Sequence, residues 1–202
     1  MVAIIDYDAG NIASVEKAVK LLGADVIITR DASEILSADH VILPGVGSFA
    51  DAMNKLKQYD LIDTIYEVVE SGKPFLGICL GLQLLFDSSE EAVGVKGLGI
   101  LKGEIVKIPE KYDLKVPHMG WNSLEINPKS RLLKGFEGEP YVYFVHSYYL
   151  KAEDEEIVAA KCEYGVEIHA AVEKDNIYAC QFHPEKSSDV GLGILRNFLN
   201  IN

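Results

Sequence analysis

The stretch KPFLGICLGLQLLF, residues 73–86, decides how the chain is read. Its first part, PFLGI (74–78), is a short apolar run of strand type, and LGLQLLFDSS (80–89) spaces its apolar residues as a helix start does. Cys79 stands at the joint, in the frame Gly77-x-Cys79-x-Gly81. A strand that turns sharply into a helix brings two backbones together, so the flanking positions cannot carry side chains. The residue at the apex is left exposed and strained, at a helix start whose partial positive charge favours a thiolate. The same five residues also fit a small buried thiol with glycines easing the packing, as most free cysteines are core residues. Position favours the first reading, because open α/β sheets bind ligands at the carboxyl ends of their strands.

Upstream, VAIID (2–6), DVIIT (25–29) and HVILP (40–44) are further strand-like runs, apolar on both faces as covered parallel strands are. Between them NIASVEKAVKLLG (11–23) aligns Ile12, Val15, Val19 and Leu22 on one face and stops at Gly23. FADAMNKLKQYDLIDTIYEVVESG (49–72) is expected to form a longer helix, also closed by a glycine. This alternation predicts an α/β fold, an open doubly wound and mostly parallel sheet with helices on both faces. After about residue 95 the pattern changes to successive strands: GLGILKGEIVKI, PYVYFVHSYYL, EIVAAKCEY, EIHAAVEKD and NIYACQFHPE. Lys174-Asp175-Asn176 reads as a hairpin turn, so the C-terminal half should add antiparallel strands. SDVGLGILRNFLN (188–200) is a closing amphipathic helix. No repeat, low-complexity segment or linker divides the chain, and a single domain over 1–202 is expected.

Hydrophobic residues make up 49% and charged residues 25% of the 202, the balance of a soluble globular protein. The net charge of −12 argues against nucleic acid or an anionic membrane surface as partner, since both need clustered Lys and Arg. Cys79, Cys162 and Cys180 are too widely spaced to suggest a disulfide framework or a metal site, which fits a reducing, cytoplasmic setting with no metal. The start MVAIIDYDAG carries Asp6 and Asp8 where a signal peptide needs a basic start and a longer apolar run.

A thiol nucleophile needs a base. His183 lies in QFHPEKS, where Pro184 keeps it extended, and in an extended segment His183 and Glu185 share a face. A carboxylate beside an imidazole fixes its tautomer and stabilises the cation formed on proton transfer. Cys79, His183 and Glu185 would therefore make a nucleophile, base and orienter, although His-Pro-Glu alone reads better as a surface turn. A third element is ILPGVGSFADA (42–52), with Gly45 and Gly47 flanking Val46 after a strand. Such a loop can turn backbone N–H groups toward an oxyanion. It is equally compatible with a phosphate-binding turn, though it lacks the Lys-Ser/Thr of a P-loop.

These three segments, in this order, resemble the class I (triad) glutamine amidotransferases, with their G-x-C-x-G elbow and distant H-P-E. The resemblance implies that Cys79 attacks the side-chain amide of glutamine, that His183 passes the proton to ammonia and that Glu185 orients His183. Within the class, DYDAGN, PGVGSF, GICLGLQLLF, VPHMGWN (116–122), YFVHSYY (143–149) and FHPEKSS (182–188) resemble the glutaminase subunits of imidazole glycerol phosphate synthases. Leu82 and Asp8-Ala9 depart from that pattern without touching the triad. The likeness implies no cofactor and a heterodimer with a (β/α)₈-barrel cyclase that uses the ammonia to make imidazole glycerol phosphate and aminoimidazole carboxamide ribotide. It also implies that Gln83, Glu91, Gly45, Val46, Gly47 and the segment His146, Ser147, Tyr148 hold the glutamine, and that Leu80 N–H is an oxyanion donor. His118, Trp121, Asn122, Tyr143 and Lys186 are implied to face the partner, whereas their composition alone reads as aromatic core. Other readings are an amidotransferase subunit serving anthranilate, aminodeoxychorismate or pyridoxal phosphate synthesis, a PfpI-like cysteine protein, or a non-catalytic regulatory domain.

Overall fold

The chain is described by a computed structural model covering residues 1–110 and 114–201. Its first half is built from β1 (Val2–Ile5), α1 (Ile12–Leu21), β2 (Val26–Thr29), α2 (Ala32–Ser37), β3 (His40–Leu43), α3 (Phe49–Gln58), α4 (Leu61–Glu70), β4 (Phe75–Ile78) and α5 (Leu80–Leu84). Then come β5 (Ser88–Ser89), β6 (Gly103–Lys107), β7 (His118–Ser123), β8 (Glu125–Ile126), β9 (Tyr141–His146), β10 (Tyr148–Ala152), β11 (Val158–Glu163), β12 (Glu167–Lys174), β13 (Ile177–Cys180) and α6 (Ser188–Leu199).

The main sheet runs β2-β1-β3-β4-β13-β12-β11-β8. The first five strands are parallel and the last three add antiparallel pairs, as the change of pattern near residue 95 predicts. Period-two alternation divides the apolar residues between two cores. Val2, Ile4, Ile42, Leu76, Ile78, Tyr178 and Cys180 face one side, covered by α1 and α6 through Val15, Val19, Ile194 and Phe198. Ala3, Ile5, Val41, Leu43, Phe75 and Ala179 face the other, covered by α2, α3 and α4 through Ile35, Leu56, Ile65 and Val68. The sheet is therefore doubly wound. No helix among the described residues is long and apolar enough to cross a membrane.

Four local differences have physical causes. The helix expected over 49–72 is two helices, because Asp60 adopts a left-handed conformation (φ 54°) and turns the chain between α3 and α4. PYVYFVHSYYL is also two strands. It breaks at Ser147, so that β9 pairs with β7 in a separate ribbon while β10 pairs with β6. The segment after Asp31, unassigned from sequence, is α2, capped by the Asp31 carboxylate accepting Glu34 N–H at 3.1 Å. Finally β13 ends at Cys180, and the residues through His183 leave the sheet.

The placement of β13 matters most for function. It lies parallel to β4 with Cys180 opposite Ile78, and Cys79 N–H donates to the Cys180 carbonyl at 2.7 Å. Two segments a hundred residues apart thus leave the same end of the sheet side by side.

Candidate active site

Cys79 follows the last residue of β4 and precedes α5, with φ 55° and ψ −108°. Its carbonyl already accepts the N–H groups of Leu82 and Gln83, so the helix begins at once. The turn is possible because its flanks are bare. A Cβ on Gly77 would stand 2.8 Å from the Gly81 carbonyl oxygen, and one on Gly81 only 2.0 Å from that of Leu43. A left-handed cysteine between two such glycines is strain held in place by close backbone contacts.

His183 Nδ1 lies 2.8 Å from Glu185 Oε1, and both side chains are 1% exposed. Burial opposes a charge on the imidazole, but the Cys79 sulfur and the Glu185 carboxylate outweigh it and raise His183 to about 9. The carboxylate on Nδ1 leaves Nε2 to exchange a proton with the thiol, and among the described residues Nε2 has no hydrogen-bond partner of its own. The His183 backbone is clipped in place. Its N–H donates to Tyr143 O at 2.9 Å, Tyr143 N–H donates to Ser187 Oγ at 2.9 Å, and the Ser187 hydroxyl donates to His183 O at 2.6 Å. The other two cysteines are poor candidates for chemistry, since burial pushes Cys162 up to about 12 and Cys180 well above its ordinary value.

Cys79 and His183 open into a cavity of about 330 Å³, large enough for a free amino acid, which Val46, Gly47, Leu80, Gln83, Glu91, His146, Ser147 and Tyr148 also line. Of the residues expected around the glutamine, only Gly45 lies behind this wall. A Cβ there would stand 2.7 Å from Tyr7 Oη and 2.8 Å from Gly81 N, so the loop packs directly against the elbow. Tyr7 is fully buried and donates its hydroxyl to Pro44 O at 2.7 Å. The Leu80 N–H does not point free into the cavity: it donates to Gly45 O at 3.3 Å. Glu91 Oε2 accepts Phe49 N–H at 2.8 Å, which ties the far wall to the start of α3.

The residues expected at a partner surface separate by strand alternation on the β7–β9 ribbon. Trp121 sits opposite Tyr143 and Met119 opposite Val145, and this face is open, with Met119 62%, Trp121 52% and Tyr141 57% exposed. Lys186 is exposed as well. His118 is not on that face. It is 3% exposed, stacked between Phe144 and Tyr164, with Nδ1 3.0 Å from His146 Nε2. His146 Nδ1 must donate to Tyr148 O (2.8 Å), so its Nε2 accepts from His118 Nδ1–H, and Asn122 Nδ2 donates to His118 Nε2 at 3.3 Å. This tautomer chain needs two neutral rings, and burial lowers His118 to about 4. In His146 burial, assisted by the charges of His118 and His183, outweighs the Tyr148 carbonyl and lowers the ring to about 3. Asn122 is therefore half-buried scaffold as much as surface.

The glutamine amidotransferase class-I family model matches residues 3–201 of this sequence. This chain belongs to that family. A class-I glutamine amidotransferase is an enzyme, and the curated relatives of this one extend over its whole length. It is 51% identical to the imidazole glycerol phosphate synthase subunit HisH of Caldanaerobacter subterraneus subsp. tengcongensis, across 98% of this chain and 97% of that one. It is 49% identical to the HisH subunit of Methanocaldococcus jannaschii over all of both chains. The fold also matches the structure of PurLQS from Thermotoga maritima, with a TM-score of 0.76 at 20% identity, covering 98% of this chain and 97% of that one.

Sequence reasoning about this amidotransferase missed Pro117 and Val145 in the cavity wall, Ser187 in the clip, Tyr7 under the PGVG loop and Gln181 beside Cys79. Ser187 and Gln181 lay inside the QFHPEKS string. No periodicity distinguishes a buried polar residue with a role from one that is merely satisfied.

Proposed function

We propose that this amidotransferase is the glutaminase subunit of an imidazole glycerol phosphate synthase in the cytoplasm. The Cys79 thiol gives its proton to His183 Nε2, and the sulfur attacks the side-chain carbonyl carbon of glutamine. His183 then returns that proton to the departing nitrogen, which leaves as ammonia. Water, activated by the same imidazole, hydrolyses the thioester to glutamate and frees the sulfur. Glu185 keeps the ring in the tautomer and orientation this needs and stabilises the imidazolium. The observation that carries the chemistry is the meeting of Cys79 and His183 in one amino-acid-sized cavity, with the buried Glu185 carboxylate on the imidazole's Nδ1.

The full-length likeness to HisH subunits supports the choice of synthase. The partner would be a (β/α)₈-barrel cyclase seated on the apolar face of the β7–β9 ribbon, reached by Met119, Trp121, Tyr143 and Lys186. That face adjoins the cavity, since Val145 belongs to both, so ammonia would have a short path into the partner. The deciding experiment is ammonia release from glutamine by the chain alone and with a matched cyclase carrying its nucleotide ligand. A large rise on assembly, abolished in Cys79→Ala while external ammonia still supports synthesis, is expected. No rise with that cyclase would reassign the subunit to another synthase.

A further inference from the structure

Gln181 lies one residue beyond β13 and is completely buried beside the nucleophile. Which end of its amide faces the sulfur follows from its neighbours. The Tyr148 carbonyl can only accept, so the Gln83 atom 3.1 Å from it is the amide nitrogen. The same nitrogen lies 3.0 Å from Gln181, and the Gln181 atom it meets is therefore the oxygen, Oε1. Gln181 Nε2 is left to point the other way. It reaches Cys79 Sγ at 3.7 Å, within range for an N–H donating to sulfur. The carbonyl that sets this order is itself fixed by His146 Nδ1.

We infer that Gln181 is a further catalytic residue, whose amide N–H stabilises the Cys79 thiolate before it attacks, and that Gln83 holds the amide in that orientation. This rests on Cys79 being the nucleophile. When the thiol proton moves to His183 Nε2, the sulfur gains a full charge at a largely buried position. A hydrogen bond to the charged form then favours ionisation, and more so where water is excluded. The titratable groups around the sulfur are His183 and Glu185, Cys180 at the end of β13, and Tyr7 after β1. His183 supplies the compensating charge, whereas Gln181 carries none at any pH and loses no proton. Its contribution is a fixed dipole, present whether the imidazole is protonated or not. A packing role alone would need only the shape of the side chain, and methionine reproduces that shape without the donor.

The test is the pH profile of Cys79 alkylation by iodoacetamide in the full-length chain, with the modified cysteine identified by peptide mass. In Gln181→Met the midpoint is expected to move up by about one pH unit. Gln83→Leu should shift it the same way by a smaller amount, because the Gln181 amide is then free to turn. A folded Gln181→Met with the parent profile overturns the assignment. Should that variant not fold, an unshifted midpoint in Gln83→Leu overturns it instead. Failure of the nucleophile reading looks different: Cys79 of the unmodified chain would then react no faster than Cys162 or Cys180, and the inference would fall with it.

Discussion

The carbonyl oxygen of Gly45 accepts the N–H of Leu80, the residue that follows the nucleophile, at 3.3 Å. By the family likeness Leu80 N–H would stabilise an oxyanion formed at Cys79, and here its proton is already used. The Gly45–Val46 peptide would have to rotate to free it, and that rotation would swing Val46 N–H toward the cavity. Such a rotation changes ψ of Gly45 and φ of Val46, and Gly45, which carries no Cβ, supplies the freedom for it. The expectation is slow glutamine hydrolysis by the isolated chain and a rise of roughly a hundredfold or more when a partner resets the loop, the scale of one oxyanion donor. Steady-state ammonia release measures both, and a fast isolated chain would show that the Gly45 contact is no brake.

Glu185→Gln removes one of the two groups that raise His183. In the proposed mechanism the imidazolium gives its proton to the departing nitrogen, and the raised value keeps that form present at neutral pH, so activity should be lost as pH rises through about 9. In the variant the alkaline limb should move down, with turnover in the assembled enzyme reduced about tenfold to a hundredfold rather than abolished, since Cys79 and His183 remain. A pH–rate profile checks both the limb and the plateau; a variant as inactive as Cys79→Ala would make the orienting carboxylate indispensable.

Gly81→Ala puts a Cβ 2.0 Å from Leu43 O, a backbone atom that cannot step aside. Overpacking at a rigid contact costs about 3 kcal/mol, which for a chain of this size lowers the melting temperature by roughly 10 °C. Gly72→Ala is the control, with nothing within 4 Å of its Cβ and only the φ of 79° against it, for about 1 kcal/mol. Thermal denaturation of the two variants should separate them clearly.

Trp121→Ala acts on an exposed side chain whose ring meets Tyr143 edge-on at 6.1 Å. Stability should stay within about 0.5 kcal/mol. Affinity for the cyclase should fall by about tenfold or more, as expected of an aromatic anchor. Titration of the two subunits reads this directly, and unchanged affinity would move the interface off the β7–β9 ribbon.

His118 and His146 are neutral in the fold down to about 4 and about 3, while in the unfolded chain both titrate near 6.5. Below 6.5 the unfolded state therefore binds more protons, and stability must fall as pH drops toward 4. Urea denaturation between about pH 7 and 4.5 should show this before most carboxylates titrate. His146→Gln, which removes one of the two rings, should flatten the slope.

Cys79, His183 and Glu185 could be singled out as candidates because each depends on local chemistry: glycines where a Cβ would collide, a proline holding a histidine extended, a carboxylate two residues on. The parallel half-sheet was legible for the same reason, since period-two and helical spacing are properties of short segments. The split of residues 49–72 at Asp60 was not, because a left-handed aspartate leaves no trace in apolar spacing. Nor was the position of β13. Only tertiary pairing inserts that late strand beside β4, and this insertion brings His183 to Cys79. His118 shows the same limit from the other side. Its composition reads as aromatic core and only the family resemblance moved it to a partner surface; register with His146 on β9 turns it inward, while Met119 and Trp121 on the same strand face out. Sequence by itself set which groups could react. The long-range register of β4 with β13 and of β7 with β9 decided which of them meet, because contacts between distant strands are fixed by the packing of the whole sheet and not by any segment alone.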